Sequence, residues 1–269
     1  MSVVLYGIVR SGHRLPEPAP MGIGHPAGPV RLVRDGPLAA VASDTAELGA
    51  VGEHEALQHL DILQRLLADG PVLPLRLGTV APSEDAVREE VLDTLGEYLP
   101  ERLDAVAGRV ELQIDVDEDE DTALAAVLPG SPLAGITPPE DLDGRIRLGE
   151  QIGQLLVEHR VRVGNEILDA LRPLAESDQP RGSHGGVEDP VLRWAFLVRA
   201  EAVDEFDQAV ADLRRRYPDL AIDYVGPLPA VHFVAVPAHA PAGAGEAADS
   251  FGGSGQWGWG SEADQPEQG

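Results

Sequence analysis

The residues best suited to metal chemistry form an acidic run from Asp115 to Asp121, in which six of the seven side chains are carboxylates. A calcium loop of the EF-hand type needs a glycine at its sixth position and a bidentate glutamate at its twelfth. Counted from Asp115, those positions hold Glu120 and Ala126. The run therefore favours a solvated, charged exit from a strand, with weak divalent-cation binding as the alternative.

A second group of metal-ligand side chains lies at the start of an amphipathic segment. His54 and His59 are five residues apart, so on a helix they point in different directions, whereas Glu55 and His59 are four apart and share a face. His59 and Asp61 are close enough to hold a metal ion together, but the sequence indicates no third ligand. Because the polar side of an amphipathic helix commonly carries such residues, we predict no metal site.

The sequence contains no recognisable phosphate loop and no nucleophile motif. The glycines of residues 22–28 lie in a proline-rich stretch that leads into a strand, whereas a dinucleotide fingerprint lies between a strand and a helix. Ser183 and His184 lie in a predicted flexible loop, where a preorganised nucleophile is not expected. We therefore predict no catalytic residue, no cofactor and no enzymatic activity. The alternative function is a small-ligand or metal-dependent hydrolase that uses the acidic segment 115–121.

Two tryptophans, Trp257 and Trp259, lie in a glycine-rich, acidic segment at the C-terminal end of the sequence. Residues 238–269 have too few apolar side chains to form a core, so they are predicted to be disordered. Tryptophan is a favoured anchor when a disordered segment docks on a partner. A docking hook and an inert tail are therefore the two interpretations, and we favour the inert tail.

The first half of the chain is predicted to form strands and two crossover helices. Asp35-Gly36 predicts a hairpin turn, and the alternation of apolar and polar residues in 109–116 predicts a strand with one face in water. The predicted elements are strand 3–9, loop 11–29, a hairpin of 30–33 with 38–42, helix 53–69 with Leu57 in its buried stripe, strand 72–80, a helix opened by Pro82-Ser83, and strand 109–116. Pro74 interrupts strand 72–80, which predicts an edge strand or a bulge there.

The second half is predicted to hold a long helix and a second small α+β domain. Thr137 and Glu140 have the spacing of a capping box, and apolar residues at helical spacing continue to Leu171. The predicted elements that follow are loop 175–190, strand 194–198, a helix over 203–217, strand 220–225 and strand 231–236.

The predicted fold class is α+β, with two small ferredoxin-like domains linked by the long helix and a disordered C-terminal tail. The predicted domains are residues 1–119, residues 120–237 with the long helix, and the tail 238–269.

The composition excludes several classes of protein. A net charge of −26 opposes nucleic acid, whose phosphates demand a basic surface, and the absence of cysteine excludes disulfides. No apolar run approaches the roughly 18 residues of a membrane helix, and residues 3–9 lack the basic region that begins a signal peptide. We therefore expect a soluble, cytoplasmic protein without nucleic acid or membrane partners.

One segment, Gly70–Val80, has the sequence GPVLPLRLGTV. Five other segments are Leu5–Val9, Asp35–Val41, Arg145–Glu150, Ala195–Val198 and Gly226–Pro229. In their order along residues 3–236 these segments resemble the gas vesicle GvpF/GvpL family, and Gly70–Val80 is the most specific of them. After Pro227 the family usually has a tryptophan and a proline-tyrosine pair, where this chain has Leu228, Ala230 and Val231.

The resemblance implies an accessory protein that is needed for gas vesicle assembly, acts in the cytoplasm or at the gas vesicle, and has no catalytic residues. It implies as partners the small, very hydrophobic shell subunit and other gas vesicle accessory proteins. We expect a carrier that offers a strand edge or an apolar groove and prevents aggregation of the shell subunit, because each buried large side chain contributes roughly 1.5–3 kcal/mol. The residues expected to contact a partner are Leu73, Leu75, Leu77, Leu228, Trp257 and Trp259.

Overall fold

The computed structural model describes residues 2–49, 52–94, 96–182 and 190–234 of the chain. The chain divides into two units, one of residues 1–111 with 227–269 and one of residues 112–226. The strands form one six-stranded and one four-stranded sheet. The α+β class is confirmed. The predicted domain limits at 119 and 237 stay predictions, and the predicted tail 238–269 lies outside the described residues.

The six-stranded sheet is built around β1 (Ser2–Arg10). Every residue of β1 from Val3 to Val9 is buried, as expected for an uninterrupted apolar run at the centre of a sheet. The other strands of this sheet are β2 (His25–Ala27), β3 (Arg31–Asp35), β4 (Leu38–Glu47), β5 (Leu73–Pro74) and β6 (Val80–Ala81). β1 pairs antiparallel with the long strand β4 and with the two strands of two residues each, β5 and β6.

The predicted hairpin joins β3 to β4, with Asp35 opposite Leu38. Gly36 in its turn has a φ of 50°, a backbone conformation that glycine adopts without steric cost. β2 also pairs with β4, so part of the predicted loop 11–29 is a short strand. The predicted strand 72–80 is instead the two separate strands β5 and β6.

Helix α1 (Glu53–Leu66) covers this sheet. Ile62, Leu63 and Leu66 are buried in one cluster with side chains of β1 and β4. The prediction that Leu57 belongs to the buried stripe is wrong, because this residue is 61% exposed. Leu57 lies six residues before Leu63, which places it about 240° around the helix and therefore away from the core.

Three further helices lie in the described part of the first unit between residues 84 and 105. Ser83 begins α2 (Glu84–Ala86), as predicted, and its hydroxyl accepts a hydrogen bond from the Ala86 N–H at 3.1 Å. The chain continues as a π-helix over Val87–Asp93. Pro100 lies in the first turn of a separate helix, α3 (Leu99–Ala105), where a proline costs no hydrogen bond.

The elements of the second unit are β7 (Arg109–Glu118), α4 (Glu120–Val127), α5 (Leu142–Leu171), β8 (Ser177–Pro180), β9 (Leu192–Arg199), α6 (Val203–Arg216) and β10 (Leu220–Leu228). Without the short helix α4, this is the order β-α-β-β-α-β of ferredoxin-like folds. The strands lie in the order β10-β7-β9-β8, so the first and third strands of the motif are neighbours at the centre. Phe196 of β9 packs on Phe206 of α6, with ring centroids 5.2 Å apart.

Three local predictions for this half of the chain are wrong. The capping box of Thr137 and Glu140 is not formed, because α5 begins with Asp141 as its N-cap, whose carboxylate accepts from the Gly144 N–H at 2.7 Å. The predicted loop 175–190 contains β8, which pairs with β9. Residues 231–233 form a turn rather than the start of a strand.

Candidate functional site

The segment with the strongest family resemblance, residues 70–81, forms an edge of the six-stranded sheet. β5 is the terminal strand of the sheet order, and β6 pairs with β1 beside it. Between them the chain turns, because the Thr79 N–H and hydroxyl both donate to the Arg76 carbonyl, at 3.1 and 2.7 Å. Gly78 in this turn has a φ of 89°. The segment is therefore a short, interrupted edge rather than a continuous strand.

The leucines predicted to contact a partner mostly face the core. Leu73 and Leu75 are buried, and Leu77 is half-buried against the main apolar cluster. Leu228, the last residue of β10, is also buried. Direct contact with a partner would require these side chains to leave the core, so their role in binding stays a prediction. Trp257 and Trp259 lie outside the described residues.

The buried side chain of His59 in α1 contacts the edge segment of residues 70–81. Its Nε2 lies 3.1 Å from the Leu75 carbonyl, and its ring centroid lies 5.5 Å from that of Tyr6. The Tyr6 hydroxyl lies 2.7 Å from Ser43 Oγ and accepts from the Ile23 N–H at 2.7 Å. Burial lowers the pKa of His59 to about 4, so the neutral ring donates to Leu75 and fixes the edge on the core.

The other members of the predicted histidine and carboxylate group point elsewhere. Asp61 pairs with Arg65 at 2.8 Å, and Glu55 accepts from the Gly52 N–H at 2.9 Å. His59 faces the core, contrary to the interpretation that it lies on the surface. Over residues 2–49, 52–94, 96–182 and 190–234, no three His, Asp or Glu side chains are arranged to hold a metal ion.

The acidic run 115–121 separates into different contacts. Asp115 pairs with Arg181 at 2.7 Å, and Asp119 caps α4 by accepting from the Thr122 N–H at 3.0 Å. Glu118 Oε1 lies 3.0 Å from His159 Nε2. Because these carboxylates serve three different elements, they do not converge on one substrate or ion.

His159 is the histidine in this region that the sequence reasoning did not single out. Its Nδ1 lies 2.9 Å from an amino nitrogen of Arg162, and arginine can only donate. Nδ1 is therefore the acceptor, and Nε2–H donates to Glu118. With both ring nitrogens engaged, this arrangement orients α5 on β7 and leaves no ring nitrogen for general base chemistry.

Glu111 is a second residue that the sequence reasoning missed. It lies on the face of β7 predicted to be in water, yet it is completely buried. Its carboxylate accepts from the backbone N–H of His232 at 2.8 Å and lies 2.6 Å from the Nδ1 of the same residue. Because the partner is 121 positions away, no local pattern could have indicated it.

Exposed apolar side chains indicate where a partner could bind. Val80 on β6 and Val225 on β10 are 38% and 46% exposed. Leu142, Ile146 and Val161 are exposed on α5. No helix among the described residues is long and apolar enough to cross a membrane.

Comparisons with known proteins give consistent results. A family model described as gas vesicle synthesis protein GvpL/GvpF matches residues 2–235. Gas vesicle protein F of a Streptomyces sp. is 33% identical over 242 residues, which cover 87% of this chain and all of the relative. Gas vesicle protein F of a Nostoc sp. is 24% identical over 173 residues, 61% of this chain and 69% of the relative.

Two solved structures share the fold. The crystal structure of gas vesicle protein GvpF from Anabaena sp. superposes with a TM-score of 0.74 at 21% identity, covering 89% of this chain and 98% of the other. That of GvpF from Microcystis aeruginosa gives a TM-score of 0.69 at 20% identity, covering 85% and 97%. At these identities the likeness is one of fold.

Proposed function

The chain belongs to the GvpL/GvpF family of gas vesicle synthesis proteins, and from that premise we propose that it is a carrier that binds the hydrophobic shell subunit during vesicle assembly. The family match over residues 2–235 is the observation that carries this proposal. Its partners are the shell subunit and other gas vesicle accessory proteins, and it acts in the cytoplasm and at the growing vesicle without catalysing a reaction.

The proposed contact is the sheet edge formed by β5 and β6. An edge strand presents backbone groups to which another extended chain can add. Val80 offers an exposed β-branched side chain there, while the buried Leu73 and Leu75 hold the edge on the core. The net charge of −26 makes complexes of the carrier with the hydrophobic shell subunit repel one another, which keeps them in solution.

Co-expression with the shell subunit tests this proposal. We expect the wild-type chain to move the shell subunit from the pellet into the supernatant after centrifugation. Val80→Lys places a charge on the proposed edge, and charged side chains block strand addition at such edges. The matched control is Val225→Lys, because Val225 is an exposed valine on β10, the terminal strand of the other sheet.

The carrier proposal predicts that Val80→Lys returns the shell subunit to the pellet and that Val225→Lys does not. A pellet unchanged by the well-folded wild-type chain would refute shell binding. Loss of solubility with Val225→Lys alone would move the contact to β10 and refute the β5–β6 edge.

A further inference from the structure

The first half of α5 carries an apolar stripe that is open to solvent. We call Leu142, Ile146, Gly149 and Gly153 the α5 stripe; their spacing of four, three and four residues places them on one face of the helix. Leu142 is 63% and Ile146 is 51% exposed. Gly149 is exposed, and Gly153 is half-buried.

The same face is a packing surface in the second half of α5. The residues that continue the stripe at helical spacing are buried there: Leu156, Arg160, Val163, Gly164, Ile167 and Leu171. On the neighbouring face of the first half, Leu148 and Ile152 are half-buried and line a depression with residues 128–138. The α5 stripe is therefore the part of this packing face that stays exposed.

We propose that the α5 stripe binds the same stripe of a second copy of the chain, with the two helices antiparallel. With the two-fold axis between residues 147 and 148, Leu142 of each copy lies opposite Gly153 of the other, and Ile146 lies opposite Gly149. A Cβ built on Gly149 meets no atom within 4 Å, so the space that the partner's isoleucine needs is open. Along one helix the stripe runs from two large residues to two glycines. In an antiparallel partner this order is reversed, so each large side chain lies opposite a glycine.

The charges beside the stripe do not select the pairing. In antiparallel helices the same flank of each copy meets across the interface, and Asp143, Arg147 and Glu150 lie on one flank. All three residues are exposed. In the stated register Glu150 of one copy lies about 3 Å along the helix axis from both Asp143 and Arg147 of the other, so an attraction and a repulsion occur together. The match of two large side chains to two glycines is therefore the observation that favours a second copy over an unrelated apolar helix.

The interface formed by the two stripes is small, so the dimer has to be measured as a function of protein concentration. About three helical turns from each copy bury less than the roughly 1,200 Å² of total surface that stable complexes need, so the dimer forms in a concentration-dependent equilibrium. The overall charge of −26 opposes it. Experiments at about 0.15 M salt reduce this long-range repulsion, because the Debye length is then about 8 Å, while contact pairs persist.

Engineered cysteines test the register, because the chain has none of its own. In the antiparallel pair, two copies of Ile146→Cys lie about 4.5 Å apart along the helix axis, within reach of a disulfide, whereas two copies of Leu142→Cys lie about 16 Å apart. We expect oxidation to cross-link Ile146→Cys and not Leu142→Cys. A mixture of Leu142→Cys and Gly153→Cys chains should give a mixed dimer. Equal cross-linking of the two single variants would overturn the antiparallel register.

Sedimentation of the purified full chain tests the association itself. We expect the wild-type mass to rise towards that of a dimer with concentration, and Ile146→Glu to weaken dimerisation at least about tenfold, since it buries a charge at the centre of the interface. Val161→Glu is the matched control: Val161 is an exposed valine of α5 outside the stripe, and its variant should behave as wild type. A wild-type chain that stays monomeric overturns the proposal, and if Ile146→Glu then also prevents rescue of the shell subunit, the stripe is a shell contact instead.

Discussion

The two halves of α5 have the same kind of sequence and different surroundings. Residues 142–155 and 156–171 both carry apolar side chains at helical spacing, yet only Gly144 is buried in the first half. The second half buries seven residues, among them Leu156, Ile167 and Leu171. Helical periodicity therefore identifies a face that can pack, and the neighbouring elements of the fold decide whether it does.

The two halves of α5 also differ in what stabilises the helix. Most helical stability in proteins comes from the packing of an apolar face rather than from intrinsic propensity. The second half of α5 has that packing. The first half depends on its N-cap, on local propensity, and on any partner that covers the α5 stripe. Substitutions at equivalent positions in the two halves should therefore have unequal effects.

The largest contrast is expected between Ile167→Ala and Ile146→Ala. Ile167 is fully buried, and truncation of such a residue costs about 2–5 kcal/mol of unfolding free energy because it leaves a cavity. Ile146 is half exposed, so its truncation should change stability by no more than about 0.5 kcal/mol. Urea denaturation at low protein concentration measures both. Equal losses would mean that the first half is covered in the isolated chain.

Alanine substitutions at two glycines of α5 give the next contrast, because one should lower the stability of the chain and the other should raise it. A Cβ at Gly164 would lie 3.0 Å from the Val191 carbonyl oxygen, and forcing such a contact costs about 1–3 kcal/mol. A Cβ added at Gly149 would meet no atom within 4 Å. Gly149→Ala should therefore raise the unfolding free energy by about 0.5–1 kcal/mol through its higher helix propensity. Thermal melting of Gly164→Ala and Gly149→Ala should show a fall and a rise.

Gly149→Ala also sharpens the self-pairing proposal. The added methyl group fills the space that Ile146 of a second copy would enter. The variant should therefore melt at a higher temperature and dimerise less than the wild type. A variant that gains stability and dimerises as well as the wild type would show that this space is not used by a partner.

Local patterns predicted much of the fold. β1 and β7 were predicted because their β-branched and alternating residues are strand signals within a few positions, and α5 was predicted from its spacing of apolar residues. β8 was missed because Ser177–Pro180 has the composition of a loop and becomes a strand only through pairing with β9. The sheet partner, not the segment, makes it a strand.

The candidate site was harder to predict, because the spacing of apolar residues does not show whether their side chains point towards the core or towards solvent. Leu73 and Leu75 were expected to contact a partner, and the fold turns them inward. Glu111 was expected in water, and it is buried by a contact with His232. His59 belonged to a predicted polar surface, and it instead supports the Leu75 carbonyl. Each difference arises from a neighbour that is distant in the sequence.

The smallest expected effect concerns the beginning of α5. Asp141 accepts a hydrogen bond from the Gly144 N–H and places a carboxylate at the positive end of the helix dipole, so Asp141→Ala should cost about 1 kcal/mol. Thr137, the capping residue suggested by the sequence, is exposed, and Thr137→Ala should stay within about 0.5 kcal/mol of the wild type. Because the first half of α5 has little core packing, hydrogen exchange of the amides of residues 144–150 should report the loss at Asp141 more sharply than global melting does. Faster exchange in Thr137→Ala and unchanged exchange in Asp141→Ala would restore the capping box as the true start of the helix.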